Sequence, residues 1–214
     1  GAIILGQTIT SLSTPKYNGV QLRLNGTNLE CVIGSQNLFE SPVSSAISFD
    51  AWHHVMATRE GTSIKLYIDG VLVDSGTTSQ VMDTSSPFAG HILSMGGTSN
   101  GSAALYGYNG YIDDGRMWTR ALSDAEALSV FNAGASAPVL ELTDGLVAKY
   151  ALNADGTDSV GSNDGTNANV TFADGAAQFN GSNARFTLAS EPFTASDADY
   201  TISVWAKHDN VSST

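Results

Sequence analysis

Short runs in which apolar and polar residues alternate recur along the whole chain, and pairs such as Asn-Gly and Asp-Gly separate them. Val20-Gln-Leu-Arg-Leu24 sets Val20, Leu22 and Leu24 on one face and Gln21 and Arg23 on the other; Asn25-Gly26 then leads into a returning run, Leu29 to Ile33. Asn-Gly between two such runs predicts a hairpin, because both central residues of a type I′ turn need positive φ. Trp52 to Thr58 and Ser63 to Ile68 repeat the pattern around Glu60-Gly61, and Asp69-Gly70 turns the second run into Val71 to Val73. Ile64, Leu66 and Ile68 are expected to face inward, Lys65 and Tyr67 outward. Further runs lie at Ile92–Met95, Gly145–Tyr150, Ala176–Phe179, Ala184–Leu188 and Tyr200–Trp205. One stretch breaks the period of two: Ser123-Asp-Ala-Glu126 has the spacing of a capping box, so a helix is predicted over Ser123–Asn132, with Gly134 as the residue that ends it. Many short strands and one helix predict an all-β, two-sheet antiparallel sandwich.

The chain has 214 residues, enough for one large β domain, and a single domain is expected. Nine Lys and Arg stand against 21 Asp and Glu, a formal net charge of −12, which argues against binding nucleic acid or an anionic membrane surface. No apolar run approaches the ~20 residues needed to span a bilayer, so no membrane insertion is expected. Cys31 is the single cysteine, which excludes an intrachain disulfide and a cysteine-based zinc site. It alternates with Leu29 and Ile33 and reads as a small buried hydrophobe.

The patterns that carry chemistry are few. His53 and His54 are adjacent on a strand, so they point to opposite faces and cannot share a metal ion. The Gly-rich segment Gly96 to Ser102 lacks the lysine and the following helix of a phosphate loop. Glutamates are scattered, Asp113 and Asp114 are neighbours whose side chains are expected to diverge, and neither a Gly-x-Ser-x-Gly elbow nor a His-Glu-x-x-His pair occurs. The expectation is a protein that is not an enzyme. Trp52, Trp118 and Trp205 are assigned to the core.

Two segments carry a family resemblance. Trp52-His-His-Val-Met-Ala-Thr58 with Ile64-Lys-Leu-Tyr-Ile-Asp-Gly70 resembles the middle of laminin G-like jellyrolls of the concanavalin A-like lectin/glucanase superfamily, and Gly110 to Ser123 resembles their last core strand and following helix. Gly145–Tyr150, Asp158–Gly161, Asn163–Thr166, Phe179–Ser182 and Thr201–Lys207 resemble the opening of such a domain, yet they come after its closing motif. The reversed order reads as a circular permutant or as a window cut out of register across tandem domains; either way one full set of strands is kept, and the reading is one jellyroll with its halves in circularly permuted order, 1–134 as the family's C-terminal part, 135–144 as a linker and 145–214 as its N-terminal part. Ends lying close together would follow, and a swap of halves between chains is the rival arrangement.

The resemblance implies a structural calcium, which takes several oxygen ligands; Asp158 and Asp114, then Asp113 and Asn153, are the residues carried over. The competing reading has Asp158 capping its own loop and Asp114 paired with Arg116. For a glycan, Tyr106 and Tyr108 would stack on the sugar, with Arg59 and Arg116 as polar partners. The expected function is a non-catalytic recognition module that binds glycan or protein in an adhesion role at a cell surface, outside the cell or on a virion. A structural assembly protein, such as a phage capsid-decoration or tail component, is the alternative, and a glycoside hydrolase comes third.

Overall fold

A computed structural model describes residues 1–9, 19–35, 38–80, 91–99, 104–135, 142–189, 193 and 199–209. In chain order the strands are β1 (Ala2–Ile9), β2 (Gly19–Asn25), β3 (Asn28–Ser35), β4 (Leu38–Ala46), β5 (His53–Glu60), β6 (Ser63–Ile68), β7 (Val71–Thr77), β8 (His91–Met95), β9 (Thr98–Ser99), β10 (Ala104–Leu105) and β11 (Asn109–Trp118). Helix α1 (Asp124–Ala135) follows, then β12 (Leu146–Tyr150), β13 (Gly165–Ala168), β14 (Thr171–Ala173), β15 (Ala176–Asn180), β16 (Arg185–Leu188) and β17 (Tyr200–His208). One sheet runs β13-β16-β8-β1-β2-β3-β4 and the other β14-β15-β11-β17-β5-β6-β7, with β12 also on β11; β9 and β10 form a small ribbon. Every pairing among these strands is antiparallel.

The expected two-sheet antiparallel sandwich is what the chain forms, and its core is the inward row of each strand. Val20, Leu22 and Leu24 meet Val55, Ala57, Ile64, Leu66, Ile112, Ile202 and Val204 in one apolar cluster. Cys31 lies in the same layer, fully buried, and burial pushes its thiol up to about 12. A smaller cluster lies on the other side of the second sheet, where Leu122 and the α1 residues Ala127 and Val130 cover Met56, Tyr67 and Trp118. Tyr67 therefore points outward as alternation predicts, but it is fully buried because the helix lies over it.

Turn chemistry sorts the hairpins. Asp69-Gly70 links paired Ile68 and Val71 with φ of 54° and 75°, the type I′ pattern. The first hairpin departs from expectation: Asn25 pairs with Asn28, so its central residues are Gly26 and Thr27, and of these two Gly26 alone has positive φ. That is the pattern of a type II′ turn, with glycine in its first central position.

The helix starts as predicted. Ser123 N–H donates to Glu126 Oε2 at 2.8 Å and Glu126 N–H donates to Ser123 Oγ at 3.3 Å, and Arg120 grips the Glu126 carboxylate through two nitrogens at 3.1 and 2.7 Å. Its end differs, since α1 continues through Gly134 to Ala135. Gly134 is needed there for another reason: a Cβ would run into the Trp205 indole of β17. Residues 136–141 of the expected linker and Thr214 lie outside the described residues.

Candidate functional site

Strand β11 pairs with β17 along one side. Its other side is shared by two shorter strands: β15 pairs with Asn109–Ile112 and β12 with Gly115–Trp118. Asp113 and Asp114 fall at the changeover. Asp113 is opposite Trp205 and Arg116 opposite Ser203, so β11 carries one extra residue across this interval, and Asp114 has φ of 45°. This is a β-bulge, which re-aims side chains where it interrupts a ladder.

The bulge overturns the expectation that neighbouring aspartates diverge. Asp113 and Asp114 both line one hollow of about 520 Å³ on the helix-bearing side of the sheet, with Trp52, Gly134, Lys149, Ala151, Asn153 and Trp205. A volume of this size suits a small ligand. The two carboxylates are differently engaged. Asp114 takes Arg116 Nε at 2.8 Å and Nη2 at 2.6 Å, a bidentate pair that neutralises it. Asp113 accepts the Asp114 N–H at 2.8 Å through Oδ1, and burial, with a lesser contribution from the Asp114 charge, raises its carboxyl to about 6.

The walls are aromatic. Trp205 is half-buried in the wall of the hollow rather than in the core assigned to it; it stacks on Phe131 of α1 with ring centroids 5.5 Å apart and lies 5.5 Å from the His54 ring. Burial holds His54 neutral, with its pKa lowered to about 4. Trp52 is 39% exposed, which corrects its assignment to the core. Its ring lies 6.3 Å from Tyr111, over which Lys207 Nζ sits at 4.5 Å. Trp52 shares the parity of His54 and Met56 and so faces outward with them, but it is more exposed than either. Trp118 is core as expected, fully buried with its Nε1–H on the Leu142 carbonyl at 2.8 Å.

The residues expected to bind sugar are mostly engaged elsewhere. Tyr108 is fully buried against Phe179 and His208, so neither face of its ring is open to a sugar. Arg59 is buried and spends Nε on the Gly61 carbonyl at 2.8 Å and Nη2 on the Gln80 carbonyl at 2.7 Å. Arg116 is buried and committed to Asp114. Tyr106 is half-buried, with φ of 58°, and its carbonyl accepts the Ile3 N–H at 2.9 Å.

The calcium ligands carried over from the resemblance do not compose a cage. Asp158 is buried, and its carboxylate accepts four backbone N–H groups: Lys149, Val160 and Gly161 on Oδ1 at 3.0, 3.1 and 3.1 Å, and Asn163 on Oδ2 at 3.3 Å. These amides hold the carboxyl below its ordinary range, although burial opposes them. Asp158 thus folds its own loop onto β12, as Asx chemistry does. Asp114 is neutralised by Arg116, which leaves Asp113 and Asn153 in the hollow. Among the described residues no three His, Cys, Asp or Glu side chains gather as a metal site, and no helix is long and apolar enough to cross a membrane.

Comparison with known proteins agrees with this architecture. No curated protein and no solved structure matched the chain. The family model described as the concanavalin A-like lectin/glucanases superfamily, in its laminin G type, matches residues 5–127. That span covers the Trp52–Thr58 and Gly110–Ser123 motifs and more than half of the 214 residues, and with two antiparallel sheets around one core the chain belongs to this laminin G-like family of the concanavalin A-like lectin/glucanase superfamily.

Proposed function

We propose that the protein is a recognition module that binds glycan through the hollow beside α1, working at a cell surface, outside the cell or on a virion. The observation that carries this reading is the meeting of an exposed indole, Trp52, with Asp113 and Asn153 at one opening. Aromatic faces stack on the apolar faces of pyranose rings, while carboxylates and amides bind their hydroxyls. Asp113 supplies an acceptor that Arg116 does not neutralise. The family supports binding of carbohydrate or protein in general, and the hollow favours carbohydrate because it is small and lined by both kinds of group.

The chain order is part of the proposal. β17, from the late segment, lies between β5 and β11 of the early one, and β16 lies beside β8, so both segments contribute strands to both sheets. The family match stops at residue 127, before β12. Ile3 N–H bonds to the Tyr106 carbonyl and Asp209 N–H to the Asn109 carbonyl, which brings both strand ends to one four-residue stretch. These features support a circularly permuted jellyroll completed within one chain, and they lend no support to a swap of halves. The assembly-protein alternative draws on no specific contact among the described residues.

A glycan array tests the binding reading: ligands bound by the wild type and lost in Trp52→Ala support the hollow as the site. Binding that persists in Trp52→Ala and Asp113→Asn would move the site elsewhere.

A further inference from the structure

Residues 47–52 carry the chain from β4 in one sheet to β5 in the other, across the end of the sandwich. Ile47 N–H is tied to the Thr27 carbonyl at 3.0 Å and Asp50 N–H to the His208 carbonyl at 2.8 Å, so the crossing is fixed on both sides of Ser48. Ser48 is exposed. His53, which opens β5, shares the inward parity of Val55 and Ala57 but stands at the rim, its side chain 17% exposed.

The His53 ring joins two partners with its two nitrogens. Nε2 lies 2.7 Å from Ser48 Oγ, and Nδ1 lies 2.8 Å from Asp69 Oδ2. Asp69 is itself held on β5: its Oδ1 accepts the His54 N–H at 2.9 Å, and its own N–H donates to the His54 carbonyl at 2.8 Å. A carboxylate only accepts, so Nδ1 carries the proton in the neutral ring and Nε2 offers its lone pair to the Ser48 hydroxyl. Nucleophile, base and orienting carboxylate thus stand in the relation of a Ser-His-Asp triad, which is recognised by geometry rather than by sequence order. No elbow motif surrounds Ser48, and the adjacency of His53 and His54 draws attention to metals instead.

We propose that Ser48 is an activated nucleophile and that this end of the sandwich is an acyl-transfer site for carboxylic esters, separate from the glycan hollow. Ser48 Oγ attacks the ester carbonyl carbon while its proton passes to His53 Nε2. The C–O bond to the alcohol breaks, and the alcohol leaves with that proton. Water then attacks the acyl-Ser48 carbon and gives a proton to Nε2; the acid departs and Ser48 recovers its hydrogen. The sum is ester plus water giving acid plus alcohol. Ser48 and His53 are the reacting groups, and Asp69 is a positioning residue.

The test uses the full 214-residue chain with a fluorophosphonate probe, and peptide mass mapping locates the adduct. Labelling is expected at Ser48, absent in Ser48→Ala and slowed at least ~10²-fold in His53→Gln, the scale of a general base. Ser48 is exposed, so Ser48→Ala keeps the wild-type melting temperature. Asp69→Asn is expected to shift the pH profile of labelling, because His53 loses the carboxylate that fixes its tautomer. A wild type unlabelled at Ser48, or His53→Gln labelled at the wild-type rate, would overturn the proposal; an unmoved pH profile in Asp69→Asn would remove Asp69 from it.

Discussion

Asp113 shows how much a single residue's surroundings decide. Its carboxyl is raised from 3.8 to about 6, chiefly by burial. The folded chain therefore holds a proton there between pH 3.8 and about 6 that the unfolded chain has released, and stability from this group falls as pH rises through that window. Asp113→Asn is expected to melt above the wild type at pH 7 and to lose this part of the pH dependence, as thermal melts across pH 4 to 7 would record. Glu126 runs the other way. Arg120 and the Ser123 donors hold it down at about 2, so its contribution is complete above pH 4.5 and is lost as pH falls toward 2. Glu126→Gln weakens the cap and the Arg120 pair and should cost on the order of 1 kcal/mol at pH 7 in urea unfolding. For Asp158, whose lone pairs already serve four amides, excess chelator is expected to leave the melting temperature unchanged. A fall on chelation, reversed by calcium, would contradict that.

At the scale of elements, pattern and packing divide the work. Period-two alternation was enough to place the inward rows, and Ser123 with Glu126 was enough to start α1, because both signals are local. What alternation could not show was cover: Tyr67 and Met56 face outward and are buried only because α1 returns over them. The bulge was equally illegible, since no residue in Ile112-Asp-Asp-Gly-Arg116 announces that two different strands share one side of β11. Its consequence, both aspartates at one hollow, was therefore missed, and so was Trp52. Tyr108 illustrates the converse. It is expected to stack on a sugar, while the fold packs its fully buried ring against Phe179 and His208. The contact of α1 with β17 makes a prediction here. Gly134→Ala drives a methyl group into the Trp205 indole and is expected to destabilise the fold by about 1–3 kcal/mol, the usual cost of overpacking. An unchanged urea midpoint would show that the helix end does not rest on Trp205.

Across the whole molecule, two sheets, one covering helix and an interrupted strand set the proposed glycan hollow and the proposed acyl-transfer site at two separate locations. The helix covers the middle of its sheet and leaves the far end of β5 open, which exposes Trp52; the junction of β12 and β15 opens the floor at Asp113 and Asp114. The hollow is thus a product of topology, which is why a glycan site could be expected from the family while its residues could not be read from composition or motif. The proposed function places ligand binding in this hollow. It is tested most directly by running the wild type, Trp52→Ala and Tyr106→Ala side by side on one glycan array. A set of glycans bound by the wild type, retained by Tyr106→Ala and lost by Trp52→Ala is expected. An array silent for the wild type, or a bound set unchanged in Trp52→Ala and lost in Tyr106→Ala, would contradict it.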